Sequence, residues 1–274
     1  MLNIESRLEL RGGVTIPQLG LGVYQSAPGQ QTQEAVLHAL RVGYRHIDTA
    51  RAYRNERDVG SALVASGLRR QDVFLTTKLS NRQHGFEPAL RACAESLQQL
   101  GVEAIDLYLI HWPLERLRHE SWRALETLKE QGKCRAIGVS NYTIRHLEEL
   151  LSRAKVVPAV NQVELNPFLS QRELVAFCGR HGIQVVAYAP LAQGERLAHP
   201  QLVAIAQKHQ RSSAQVLLRW GLQQGLVVIP KSVRPARIEE NARLYDFSLD
   251  EEDMALLDEL EEGLRTCWDP TDVV

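Results

Sequence analysis

The sequence predicts an α/β protein, a (β/α)8 TIM barrel with an N-terminal β-hairpin and two extra helices. Three observations predict it. Short apolar runs that end in polar residues alternate with helical stretches along most of the chain. Eight such β-then-α units follow one another, which one closed parallel barrel accommodates. The 274 residues suit one barrel, and no Pro/Gly/Ser-rich linker or low-complexity segment interrupts 1–274, so a single domain is expected.

The elements follow in order. Residues 8–10 and 14–16 are short apolar runs, and Arg11-Gly12-Gly13 between them reads as a hairpin turn. Strands are expected at 19–23, 46–48, 73–78, 105–111, 135–140, 159–164, 184–188 and 227–229. Helices with apolar residues at helical spacing are expected at 33–42, 56–66, 87–100, 122–131, 144–152, 172–181 and 201–209. Gly43 closes the first helix, and Gly132 follows the one before Lys133. The extra helices are 213–224, ahead of the last strand, and 248–262, which opens on the capping signal Ser248-Leu249-Asp250-Glu251. The tail 263–274 reads as irregular chain folded over a barrel mouth. The rival architecture, an open doubly wound sheet, requires a glycine-rich phosphate loop after the first strand. Leu19-Gly20-Leu21-Gly22-Val23 offers two glycines, lacks the third and opens no helix.

Composition excludes several function classes. Lys plus Arg number 32 against 33 Asp plus Glu, so net charge gives no case for nucleic acid or an acidic membrane. Cys93, Cys134, Cys178 and Cys267 form no CxxC pair, and no Cys/His cluster has zinc spacing, so no metal is expected. They read as reduced thiols in a cytoplasmic protein. The stretch 1–7 has no long apolar run, so no signal peptide is expected, and no run approaches the roughly 20 residues of a membrane span.

In such a barrel the active site lies at the C-terminal ends of the strands. The polar residues there are Asp48, Lys78, His111, Ser140 with Asn141, Gln162 with Glu164, Tyr188 and Lys231, and Tyr53 falls in the loop after Asp48. Taken singly each has an ordinary reading: Asp48 a cap, Lys78 a solvated rim residue, His111 a satisfied structural histidine, Tyr53 a packing aromatic. Together at one mouth they make a proton-transfer set. Asp48 can hold a buried Lys78 charged, and charged Lys78 lowers Tyr53 from about 10 toward working pH, where a general acid is most effective. His111 can orient a carbonyl oxygen. The set suits protonating an alkoxide while another group delivers hydride.

These residues lie in motifs that resemble the aldo-keto reductase family across almost the whole chain. The first reads Gly43-Tyr44-Arg45-His46-Ile47-Asp48-Thr49-Ala50-Arg51-Ala52-Tyr53-Arg54-Asn55-Glu56, followed by Gly60. Leu109-Ile110-His111-Trp112-Pro113 and Gly138-Val139-Ser140-Asn141 come next, and the last runs from Ile229-Pro230-Lys231-Ser232-Val233 to Arg237, Glu240 and Asn241. The combination is similar to the microbial branch that includes 2,5-diketogluconate reductases, and Thr266-Cys267-Trp268-Asp269-Pro270 resembles the tail of bacterial members.

The resemblance implies the catalytic tetrad Asp48, Tyr53, Lys78 and His111 and an extended nicotinamide dinucleotide, NADPH/NADP+. It places Ser140, Asn141 and Gln162 on the carboxamide, Tyr188 against the nicotinamide ring, and Leu191 to Gly194 along the pyrophosphate. Lys231, Ser232, Val233 and Arg237 gather around a short helix starting near Pro235, where two cations and a hydroxyl suit a ribose 2′-phosphate. Glu240 and Asn241 would contact the adenine. Tyr24, Trp112 and Trp268 are candidate walls of the substrate pocket, although core packing would equally explain Trp112. The chain departs from the family at Ser80, where relatives often carry Trp, and at Ala189, where Ser is frequent. The connection from Trp112 to Trp122 and the tail are short, which leaves the pocket open to question because loops set specificity.

The expected function is NADPH-dependent reduction of an aldehyde or ketone by a cytoplasmic monomer whose partner is a small-molecule carbonyl substrate. A non-catalytic nicotinamide-sensing module of the same fold is the alternative. A barrel glycosidase would need two facing carboxylates, for which Asp48 and Glu164 are the candidates. A short-chain dehydrogenase would need Tyr-x-x-x-Lys, and no tyrosine here has lysine four residues on.

Overall fold

A computed structural model describes residues 2–114 and 116–273. Two short strands, β1 (Arg7–Glu9) and β2 (Thr15–Pro17), pair antiparallel as the expected hairpin. Eight strands then form one parallel sheet in sequence order: β3 (Leu21–Gly22), β4 (His46–Asp48), β5 (Phe74–Leu79), β6 (Ile105–Ile110), β7 (Cys134–Ser140), β8 (Val160–Glu164), β9 (Gln184–Tyr188) and β10 (Val227–Val228). The sheet curls until its ends meet. Leu19 bridges Val228 and Gly22 bridges Lys231 in parallel, with Gly20 N–H donating to Val228 O at 2.9 Å and Gly22 N–H to Pro230 O at 3.0 Å. The first strand is thus shorter than the expected 19–23, because Leu19-Gly20 pairs with the last strand while Leu21-Gly22 pairs with β4. Pro230, without an N–H, stands just beyond β10.

Ten helices surround the sheet among the described residues: α1 (Gln30–Val42), α2 (Glu56–Ser66), α3 (Phe86–Leu100), α4 (Arg118–Glu130), α5 (Ile144–Leu151), α6 (Arg172–Arg180), α7 (Pro200–Lys208), α8 (Ser213–Gln223), α9 (Pro235–Ala242) and α10 (Glu251–Asp258). Gly43 ends α1 at φ 116°, a left-handed cap that favours glycine. Helix α4 begins one turn before the expected 122. Its first turn is polar and gives no apolar period, but Arg118 and His119 both bind Glu149 on α5. Helix α10 is shorter than the expected 248–262. Its cap is Asp250, not Ser248, in a reciprocal box with Asp253, and beyond Asp258 the chain leaves to bond Phe168 O through Glu262 and Leu264 N–H.

Two apolar clusters divide the interior. The larger lies between strands and helices. The smaller contains Phe74, Leu107, Leu109, Ala136, Val160, Val186 and Val227, together with Leu10 and Ile16 from the hairpin. Those strand positions point into the barrel, and the hairpin residues plug one end. Side chains alternate along a strand. The inward face that holds Phe74 therefore holds Lys78, that of Leu109 leads to His111, that of Ala136 to Ser140, that of Val160 to Gln162 and Glu164, and that of Val186 to Tyr188. One apolar phase thus fixes which polar residues meet at the opposite mouth.

Candidate active site

At the open mouth the side chains converge as the alternation requires. Lys78 and Asp48 are both fully buried, and Lys78 Nζ donates to Asp48 Oδ1 at 2.5 Å and to Thr49 O at 2.9 Å. The second Asp48 oxygen accepts from Gln162 Nε2 at 2.7 Å. Lys78 Nζ also reaches Tyr53 Oη at 3.4 Å and lies 5.1 Å from its ring centre. Tyr53 ends a single 3₁₀ turn, Arg51–Tyr53, between β4 and α2. Asn55 anchors that loop: fully buried, it donates from Nδ2 to Val23 O at 3.0 Å and accepts from Thr49 Oγ1 at 2.7 Å. His111 follows β6 and meets Tyr53 edge to face, with ring centres 5.6 Å apart. All four members of the expected tetrad therefore stand in one cluster.

The electrostatics correct one expectation. Lys78 does not make Tyr53 acidic. Burial pushes the Tyr53 phenol well above its usual range, and Asp48, Tyr188, Tyr24 and Cys267 push the same way. Burial is the first cause and the Asp48 carboxylate the second, and the Lys78 ammonium at 3.4 Å does not outweigh them. Burial also lowers Lys78, and Asp48 opposes that loss. His111 is held down to about 3, first by burial and then by the Lys78 and His84 charges. Near neutral pH the site thus presents a protonated phenol beside a neutral imidazole.

A second polar group adjoins the first. Tyr188 Oη donates to Asn141 Oδ1 at 2.7 Å, and Asn141 Nδ2 donates to His111 O at 3.0 Å and Ser140 Oγ at 3.1 Å. Ser140 Oγ donates to Gln162 O at 2.8 Å. Asn141 holds a left-handed φ of 65° at the end of β7. Leu191 and Gly194 flank and end a 3₁₀ turn after β9. Lys231, Ser232 and Val233 follow β10, while Arg237, Glu240 and Asn241 ride on α9. Among the described residues no acid pairs with Lys231 or Arg237, both exposed, whereas the Ser232 hydroxyl already accepts from Arg234 N–H at 3.1 Å. Tyr24 lies 5.0 Å from Tyr53 by ring centre, and Trp112 packs on Trp268 at 4.4 Å.

Sequence reasoning missed the work of Glu164. Its Oε1 accepts from Thr266 N–H at 2.8 Å and Thr266 Oγ1 at 2.5 Å, and its Oε2 from Cys267 N–H at 3.2 Å. The tail that carries Trp268 is thereby clasped to β8. With Glu164 committed to the tail and Asp48 to Lys78, the facing carboxylates of a glycosidase are missing. Asn55 and the Thr49 carbonyl were also missed, although both lie inside the first motif.

The aldo/keto reductase family model matches residues 18–262, which takes in every residue of the tetrad. The chain belongs to the aldo/keto reductase family. The relatives of this reductase include a glyoxal reductase of Bacillus subtilis (strain 168), 46% identical over 272 residues, covering 99% of each chain. An aldo/keto reductase structure from Brucella melitensis superposes with a TM-score of 0.91 at 46% identity, over 93% of this chain and 99% of that one. A mutant of Gox0644 in complex with NADPH superposes with a TM-score of 0.93 at 42% identity, over 98% of each. These solved structures accord with the (β/α)8 barrel described above.

Proposed function

We propose that this chain reduces an aldehyde or ketone to the alcohol with NADPH, Tyr53 giving the proton. The observation that carries the reading is the buried Asp48–Lys78 pair with Tyr53 Oη at 3.4 Å from the ammonium, in the mouth of an aldo/keto reductase barrel. Similarity to an NADPH complex supports the cofactor.

The residues present fit that cofactor. Tyr188 offers a ring half-exposed at the mouth, fixed by its bond to Asn141. Gln162 gives its N–H to Asp48 and keeps its carbonyl oxygen for a carboxamide. Ser140 and Asn141 complete that corner, Leu191 and Gly194 border the path outward, and Lys231, Ser232, Val233 and Arg237 would hold a 2′-phosphate with two unpaired cations. Glu240 and Asn241 would meet the adenine. When bound, the reduced nicotinamide supplies the hydride.

The chain's own residues supply the rest. Neutral His111 and the Tyr53 hydroxyl orient the carbonyl oxygen by hydrogen bonds. As negative charge grows on that oxygen, Tyr53 passes its proton to it, and the resulting phenolate is stabilised by the Lys78 ammonium. Asp48 keeps that ammonium charged in a buried setting. Tyr24, Trp112 and Trp268 would line the apolar side of the substrate pocket. The protein would act as one barrel domain, as a monomer and in the cytoplasm. Tyr53→Phe tests the reading: NADPH binding, read by fluorescence, should survive while turnover falls by about 10²-fold or more. Turnover within a few-fold of the parent would remove Tyr53 from the reaction.

A further inference from the structure

The residue after Tyr53 opens onto a feature that the proton-transfer set does not use. A cleft of about 650 Å³ runs outward from His111 and Trp112, between the Arg51–Tyr53 turn and the loop after β5. Ser80, with its small side chain, lies on its wall, and Arg54, Arg57 and Arg82 line it further out. All three arginines are exposed, and among the described residues none has an acidic partner. Arg51, also on the wall, is already committed to Glu95 at 2.8 Å and lies 3.7 Å from Glu56.

The one acid on the cleft wall does not neutralise this charge. Glu56 is buried, accepts from Thr77 Oγ1 at 2.7 Å and faces Arg51. A solvated basic rim would be the ordinary account of three surface arginines. Two facts weigh against it. The whole chain carries a net charge of −1, so the concentration of cations is local. The backbone under Arg54 is also fixed, since Asn55 beside it is fully buried and bonded to the Val23 carbonyl just beyond β3. Guanidinium forks without partners, on a concave wall whose inner end is His111, favour an anionic oxygen cluster.

We propose that this cleft is an anion subsite that selects carbonyl substrates carrying a carboxylate or phosphate remote from the carbonyl. The proposal rests on the carbonyl-reductase reading for its substrate but not for the anion site itself. The carbonyl would sit at Tyr53 and His111, and the acidic end would lie among Arg54, Arg57 and Arg82.

The test compares 4-carboxybenzaldehyde and 4-formylphenyl phosphate with methyl 4-formylbenzoate, each reduced with NADPH by the parent and by Arg54→Gln/Arg82→Gln. The parent should favour at least one anion over the neutral ester by about tenfold in kcat/KM, chiefly through KM, and the double variant should lose that preference. Which anion is favoured distinguishes carboxylate from phosphate. The ester rate should change less than about twofold between the two proteins. Equal kcat/KM for anions and ester in the parent overturns the proposal, as does equal loss on all three in the variant. Binding of terephthalate, read by quenching of tryptophan emission, keeps the subsite testable without turnover. If no aldehyde is reduced but terephthalate binds the parent and not the variant, the reductase reading fails and the subsite stands. If terephthalate binds both proteins alike, or neither, the subsite falls.

Discussion

Tyr53 keeps its proton because its surroundings penalise the phenolate, and a proton donor needs that before the reaction begins. Burial and Asp48 push its pKa well above the usual phenol range, while that of His111 is held down to about 3. Neither group changes charge near neutrality. The kcat/KM for carbonyl reduction should therefore be level between about pH 6 and about pH 9, and a steady-state pH series checks this. An inflection inside that window would mean that one of the two titrates there. The Asp48–Lys78 contact has its own consequence. Asp48→Asn would leave a buried ammonium with no counter-charge, and such a group gives up its proton. Turnover of that variant should drop by about tenfold or more, with the circular dichroism spectrum retained. That Tyr53 stands next to Lys78 could be read from residue types at strand ends. The sign of its shift could not, because it depends first on how completely the phenol is buried and then on how near Asp48 comes to it, and sequence carries neither.

Elements were legible where one period dominates. Strands β5, β8 and β9 alternate between barrel interior and helical layer, so the inward polar residues follow from the inward apolar ones. The starts and ends of helices were less legible when tertiary contacts set them. Arg118 and His119 join α4 by binding Glu149, a partner in another helix. Glu164 gave no hint that its partners are Thr266 and Cys267, which lie a hundred residues on. Helix α9 offers a test of cofactor choice. Lys231→Ala with Arg237→Ala should weaken NADPH by about 10²-fold while NADH changes little, as measured by fluorescence titration. Equal weakening of both would show that these cations do not read a 2′-phosphate. The β8 clasp offers another. Glu164→Ala should free the tail and raise the rate at which Cys267, half-buried in the parent, reacts with a thiol reagent, since charge-assisted hydrogen bonds are worth about 1.5–3 kcal/mol each. An unchanged labelling rate would mean that other contacts hold the tail.

For the whole molecule, buried histidines tie stability to pH. His46, fully buried beneath the site against Thr76, is lowered from 6.5 to about 3 by burial and by Lys78, and His84 from 6.5 to about 4 by burial. The unfolded chain takes up these protons as pH falls through about 6.5, while the folded chain refuses them. The stabilisation is therefore complete above that value and drains away toward the folded values. At about pH 5 the loss should be about 2 kcal/mol for each histidine. Urea midpoints at about pH 7 and about pH 5 would show it, and His84→Gln should make the dependence shallower. A midpoint that does not move with acid would contradict the buried neutral imidazoles. The junction between Leu19–Gly22 and Val228–Lys231 also governs the order of assembly. Among the described residues it is the only seam of the sheet whose two sides come from opposite ends of the polypeptide, so seven strands can line up during synthesis and still leave two raw margins. A nascent chain halted before Val227 would present the backbone of Leu19 to Gly22 as an open template for another molecule.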